Sequence, residues 1–330
     1  MHHGEVARSA DPIMTAYPSC TVAVLSCSEP ARLAALVERI GEQTVIPDKV
    51  LVIWNSPRPL GLPLPSKAAV HVLTIPPEDF GHGKTRNLAL RSTQHEILVL
   101  ITDDAWPADE TWLAELLRPF VESPRVGAVF GRQIAADAGS PEAMFRAARY
   151  PAGSFPIQLA ARRVFEIART PASNANAAYR AGALRAAGGF REDLISGEDH
   201  AAAITLLDAG HGVWYAGDSC VVHSHRYGFS SQVRRTFDSA IGYRQLCTRL
   251  GLHMSHASAY GSLLRSIALA SGRLSWRDRL GVATDISARV LGVMIARLSP
   301  LLPQPILCRV SRQRWFLAKS GRVRKRDALE

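Results

Sequence analysis

Between residues 20 and 131, short apolar runs alternate with segments of helical spacing, and this alternation restricts the fold more than any other feature of the chain. CTVAVLSC (20–27) is apolar and rich in β-branched residues, as a buried strand is. Residues 32–40 place Leu33, Leu36, Val37 and Ile40 on one helical face. KVLVIWN (49–55) and AVHVLTI (69–75) read as further strands, followed by a helix over 84–92. EILVLIT (96–102), a helix over 110–121 and VGAVFG (126–131) complete the series. Strands separated by helices predict an α/β fold with a mostly parallel sheet covered on both faces. Ligands of such sheets bind beyond the carboxyl ends of the strands.

The remainder is less regular. SNANAAYR (173–180) predicts a strand leading into a helix from Ala181, and a helix resumes over 198–209 after Gly188-Gly189-Phe190. HGVWYAGDSCVVHSH (211–225) reads as two short strands with a turn at Gly217-Asp218. Beyond Phe229 the pattern is helical. In 282–298, Val282, Ile286, Val290, Val293 and Ile295 form an apolar side opposite Asp285 and Arg289. That segment reads as an amphipathic helix packed on its own domain, with its Arg-rich flanks leaving membrane-surface attachment as the alternative. No run reaches the ~20 apolar residues of a membrane span, and residues 1–20 lack the apolar stretch of a secretory signal. The expected organisation is a loose tail (1–18), an α/β domain (19–228), a helical extension (229–320) and a solvated basic tail (321–330).

Charge separates these parts. From Phe229 onward the chain carries 18 Lys and Arg against 5 Asp and Glu; before it, 21 against 24. A basic extension suits nucleic acid, anionic lipid or an anionic substrate, and charge does not choose among them. No nucleic-acid-binding motif is present, so nucleic acid is not expected. Five scattered cysteines without CxxC spacing fit a reducing compartment better than a disulfide framework.

Polar residues gather at the predicted strand ends: Ser26 to Glu29, Asn55-Ser56 and Asp103-Asp104. Turn chemistry explains any one of them; their coincidence at one edge points to a site. FGHGKTRNLAL (80–90) contains Gly-Lys-Thr, but a Walker A loop would need glycine where Glu78 stands. Asp103-Asp104 suits Mg²⁺ or Mn²⁺, or alternatively a helix N-cap before Trp106-Pro107. Glu198 and Asp199 open a helix, where the dipole favours carboxylates regardless of function. His223 and His225 fall on one face of a strand, a pair suited to a metal or a phosphate. The cluster lacks the His and Cys count of a structural zinc site.

FGHGKTRNLAL, ITDDAWPADETWLAELLRPF, GAVFGRQ, SNANAAYR, GGFREDLISGEDH and VVHSHRY occur in order over about residues 20–230. This set resembles rhamnosyltransferase-like members of glycosyltransferase family 2, which have the GT-A fold. The resemblance implies an inverting transferase that moves a sugar from a dTDP- or UDP-linked donor, with dTDP-L-rhamnose favoured, to a glycan or lipid-linked acceptor. It implies a divalent cation held by Asp104 and His223, with His225 beside them, and a catalytic base at Asp199 with Glu198 adjacent. Gly81, His82, Gly83, Lys84, Arg86 and Asn87 would line the diphosphate, with Lys84 and Arg86 near the phosphates. Ser26, Glu29, Asn55 and Asp103 would lie about the nucleoside, and Ser173, Asn174, Gly189 and Phe190 about the sugar or acceptor. Two positions depart from the family. Asp103 replaces a glutamine, raising the alternative that Asp103 is the metal ligand, and Asn55 replaces an acid that contacts the base. The resemblance implies a cytoplasmic enzyme, with an anionic membrane surface on the inner face as a candidate partner. Three alternatives carry less weight. A processive synthase needs membrane spans and QxxRW where the chain has Gln313-Arg314-Trp315, a nucleotidyltransferase explains no HSH strand, and the last is a non-enzymatic binder of lipid or nucleic acid.

Overall fold

A computed structural model describes residues 16–138, 141–158, 170–225, 227–252 and 275–319. The basic tail over 321–330, and most of the tail assigned to 1–18, lie outside them.

Apolar content on both faces of the strands forces a three-layer arrangement. β1 (Cys20–Ser26), β2 (Lys49–Asn55), β3 (Ala69–Ile75) and β4 (Ile97–Thr102) pair in parallel, in the order β3-β2-β1-β4. Successive side chains of a strand point to opposite faces. Val22, Val24, Val50, Val52, Val99 and Ile101 therefore face one layer, containing α1 (Pro30–Gly41) and α3 (Trp112–Glu122). Ala23, Leu51, Ile53, Leu98 and Leu100 face the other, with α2 (His82–Ser92) and α6 (Glu198–Asp208). β3 is an edge strand, and its Val72 is exposed.

The sheet continues through β8 (Asn176–Arg180), β6 (Val126–Ile134), β9 (Gly212–His223) and β5 (Ala105–Pro107). β8 runs antiparallel to both β4 and β6, and β7 (Phe155–Pro156) pairs with β9. α4 (Pro141–Arg149) lies between β6 and β7, and α5 (Ala181–Ala186) follows β8.

Two expectations change here. Residues 212–223 form one long strand, and Gly217-Asp218 is not a turn. The register against β6 slips between Ala216 and Cys220, a bulge that absorbs the extra residues. Gly217 allows it, because a Cβ there would lie 2.1 Å from the Ala152 carbonyl oxygen. Asp103-Asp104 also caps no helix. A three-residue strand, β5, follows at once and pairs with the end of β9.

Among the described residues, the extension contains α7 (Phe229–Leu250), α8 (Trp276–Leu298), α9 (Gln304–Val310) and α10 (Arg314–Lys319). α8 crosses α7 at Gly292, where a Cβ would meet the Val233 carbonyl oxygen at 2.6 Å. Its buried residues are Val282, Ala288, Gly292 and Ala296, whereas Val290, assigned by spacing to the packed side, is exposed. Small residues set that contact because α7 approaches too closely for large ones. α7 in turn leans on the α/β layer. Gly242 abuts Ser196, and Gln245 Oε1 accepts from the Ile195 N–H at 2.9 Å. No helix among the described residues is long and apolar enough to cross a membrane.

Candidate active site

Strand pairing assembles the first cluster. β5 places Ala105 opposite His223 of β9, so the preceding Asp104 meets a histidine far away in sequence. Asp104 Oδ1 lies 3.2 Å from His223 Nε2, and Oδ2 lies 3.5 Å from His225 Nε2. Candidate ligand atoms of all three residues fall within 4.8 Å of one another.

The protonation pattern favours a cation at this point. Arg146 Nη1 donates to Gln133 Oε1 at 2.9 Å, and arginine has no acceptor, so that atom is the amide oxygen. His223 Nδ1, 2.8 Å from the same oxygen, must then be the N–H donor. In the neutral ring Nε2 then carries the lone pair, aimed at Asp104. A lone pair facing a carboxylate repels unless a proton or a metal ion lies between them. Asp104 Oδ1 is buried and receives no hydrogen bond among the described residues. Burial alone would raise its pKa, but the adjacent His223 imidazole outweighs that and holds it well below the usual carboxylate range. Burial, then His223, push the His225 imidazolium down to about 4, leaving a neutral ring at pH 7. One carboxylate and two imidazoles meeting at an orphaned buried oxygen fit a divalent cation such as Mn²⁺ or Mg²⁺.

Asp103 has a different task. Its Oδ2 accepts from Ser26 Oγ (2.9 Å) and from the backbone N–H groups of Cys27 and Ser28 (3.0 Å each). It ties down the loop after β1 and does not join the triad. Glu29 stands exposed at the N-terminus of α1. Asn55 closes β2 with a buried Oδ1 that has no hydrogen-bond partner among the described residues.

The second cluster surrounds the start of α6. His200 donates its backbone N–H and, at 2.9 Å, its Nδ1 to Asp199 Oδ1. Oδ2 accepts no hydrogen bond among the described residues. Burial works to raise the Asp199 pKa, yet His200 and Arg86 outweigh it and keep the carboxyl well below its usual range. Asp199 is therefore an ionised acceptor with one oxygen uncommitted.

Several residues expected at the nucleotide, the sugar or acceptor, or the reacting hydroxyl make contacts within the protein. Arg86 is buried and pairs with the buried Glu198 at 3.2 Å, so neither faces a ligand as a free charge. Glu198 also accepts from Asn174, whose oxygen accepts from Tyr179. Lys84 is bound to Asp79 at 2.8 Å. The Asn87 amide exchanges hydrogen bonds with the Phe190 backbone, and Phe190 itself is core. Gly81 precedes α2 in extended backbone; Gly83 lets that helix contact the Arg191 carbonyl, and Gly189 takes a positive φ of 75°. Ser173 turns back on the Ala175 N–H. GHGKTRN thus forms the start of α2, packed on the 189–192 segment.

The sequence reading missed the contribution of the extension. Asp238 of α7 accepts from Ser311 Oγ (2.5 Å) and the Arg312 N–H (2.8 Å), fixing a turn between α9 and α10. That turn sets the Gln313 amide 2.9 Å from His82 Nε2 and the Arg312 guanidinium 5.5 Å from the Tyr227 ring centroid. Tyr227 stacks on His225 at 4.8 Å. Residues 312–313 therefore reach both clusters.

Residues 21–187 match the family described as Glycosyl transferase family 2. The chain belongs to that family. It is 32% identical over 209 residues to the O-antigen chain rhamnosyltransferase RfbN of Salmonella typhimurium, covering 62% of this chain and 66% of the relative. With WbaN of Salmonella anatum, also an O-antigen chain rhamnosyltransferase, it shares 31% identity, covering 61% and 64%. The matched stretch thus spans just under two thirds of each curated relative. Among solved structures, the mannosyltransferase PcManGT from Pyrobaculum calidifontis, in complex with GDP-Man and Mn²⁺, superposes with a TM-score of 0.55 at 18% identity. That superposition covers 87% of this chain and 88% of the other, and at such identity it speaks for the fold, GT-A.

Proposed function

We propose that this family 2 chain is an inverting, metal-dependent glycosyltransferase that moves L-rhamnose from dTDP-L-rhamnose to a hydroxyl of a glycan or lipid-linked oligosaccharide. The observation carrying the reading is the Asp104–His223–His225 triad, with Gln133 aiming the His223 lone pair into it. The two rhamnosyltransferase relatives support the sugar. The triad would hold Mg²⁺ or Mn²⁺, which when bound would supply a Lewis acid for the charge of the departing diphosphate. Asp199 Oδ2 takes the proton of the acceptor hydroxyl as that oxygen attacks the anomeric carbon from the face opposite the leaving group. Direct displacement inverts the centre and uses no protein nucleophile. Because Arg86 and Lys84 are already paired, Arg312 is the better-placed cation for the phosphates. A lipid-linked acceptor would bring the chain to an anionic membrane surface.

A panel of dTDP-, UDP- and GDP-sugars incubated with Mn²⁺ tests the reading. Nucleotide release from dTDP-L-rhamnose, abolished by Asp104→Asn, is the expected result. No turnover of any member by the wild-type chain would overturn it.

A further inference from the structure

The face of α8 turned away from the fold is apolar. At about 100° per residue, Trp276, Leu280, Val290, Leu291, Met294 and Leu298 fall within a sector of roughly 100°. They lie opposite the buried Ala288, Gly292 and Ala296. All six are exposed, Trp276 at 71% and Met294 at 54%, and Leu301 extends the row at 81%. Scattered exposed apolar residues need no explanation, but two exposed apolar groups on one face of a 23-residue helix, Trp276–Leu280 and Val290–Leu298 with Ala283 and Ser287 between them, do. Basic residues border it: Arg277 on one side, Arg279 and Arg297 on the other, all exposed. The Arg277 guanidinium lies over the Trp276 ring at 5.3 Å, and Arg314 over exposed Trp315 at 5.0 Å.

We infer that this face of α8 docks on an anionic lipid bilayer, inserting the Trp276–Leu301 row at headgroup depth while the arginines pair with lipid phosphates. Charge complementarity selects the occupant. A second copy meeting the same face about a two-fold axis would set arginine borders against each other. Anionic headgroups neutralise them, while tryptophan and long basic side chains span the apolar-to-aqueous boundary. The inference deepens the proposed function, since a lipid-linked acceptor resides at such a surface, but its test needs no turnover.

Flotation of the full chain with vesicles of phosphatidylcholine, with and without phosphatidylglycerol, provides that test. Wild-type protein is expected to float with the anionic vesicles. The double variant Met294→Gln/Leu298→Gln is expected to lose about tenfold or more in partitioning. Arg279→Gln/Arg297→Gln should lose binding only where phosphatidylglycerol is present. Val72→Gln, an exposed site on β3, should float as wild type, and equal thermal midpoints establish that the variants fold. Equal flotation of Met294→Gln/Leu298→Gln and wild type would overturn the inference, as would no wild-type binding to either vesicle. So would a dimer in light scattering that the same variant dissociates. A chain that floats yet turns over no nucleotide sugar would overturn the proposed reaction and leave this inference supported.

Discussion

Asp199 and Gln133 act through single atoms, and each can be tested as such. Both hydrogen bonds to Asp199 go to Oδ1, leaving Oδ2 for a hydroxyl proton. Asp199→Asn keeps size and polarity but removes the proposed base. Transfer should fall by about 10²–10⁴-fold, while calorimetry with dTDP and Mn²⁺ finds nearly unchanged affinity. Near-normal turnover would place the base elsewhere. Gln133 Oε1 accepts from His223 Nδ1 and so fixes that ring's orientation. Gln133→Leu should weaken Mn²⁺ binding by about 10- to 100-fold, measured by titration without donor. Saturating Mn²⁺ should restore most activity, which a merely unfolded variant would not allow.

Among the elements, α7 and the turn after α9 depend on one buried carboxyl. Burial raises the Asp238 pKa to about 6, against hydrogen bonds from Ser311, Arg312 and Gln313 that pull it down. A carboxyl raised in the folded state binds its proton more tightly there than in the unfolded chain. Its contribution to stability is complete below about pH 4 and is lost as pH rises through about 6. The difference amounts to roughly 3 kcal/mol at most. Asp238→Asn mimics the protonated form, so the thermal midpoint of wild type should fall relative to the variant between pH 4 and pH 7. A gap that stays constant across that range would show that Asp238 does not titrate there. The bulge in β9 teaches a related lesson: glycine and aspartate signal a turn by composition, but strong pairing with β6 on both sides kept the strand whole.

At the scale of the molecule, the extension is a working part of the fold. Its α7 supports residues 195–196, three residues before Asp199, through Gln245 and the close approach of Gly242. A Cβ at Gly242 would sit 2.6 Å from the Ser196 carbonyl oxygen. Gly242→Val should therefore cost about 1–3 kcal/mol, seen in denaturant unfolding, and should lower kcat more than donor affinity. Unchanged stability and turnover would mean that the extension is an independent appendage.

What could be read from residues alone was whatever depends on short range. Apolar runs and helical spacing predicted α1 to α3 and β1 to β4, because local periodicity decides which faces are buried; the ordered motifs from GHGKTRN to HSH carried the family resemblance. The candidate acids and histidines were also legible, since Asp104, Asp199, His223 and His225 carry chemistry in any fold. Tertiary structure decided which of them are committed. Arg86, expected near the phosphates, is paired with Glu198, and Asp103, the alternative metal ligand, has Oδ2 held by Ser26 at the end of β1 and by Cys27 and Ser28 of the loop after it. For residues 312–313 the sequence offered only the incomplete QxxRW match at Gln313; the Asp238 contacts bring their turn beside His82 and Tyr227. The physical reason is common to all three: a charged side chain binds whatever partner satisfies it first, and that partner is chosen by chain segments distant in sequence.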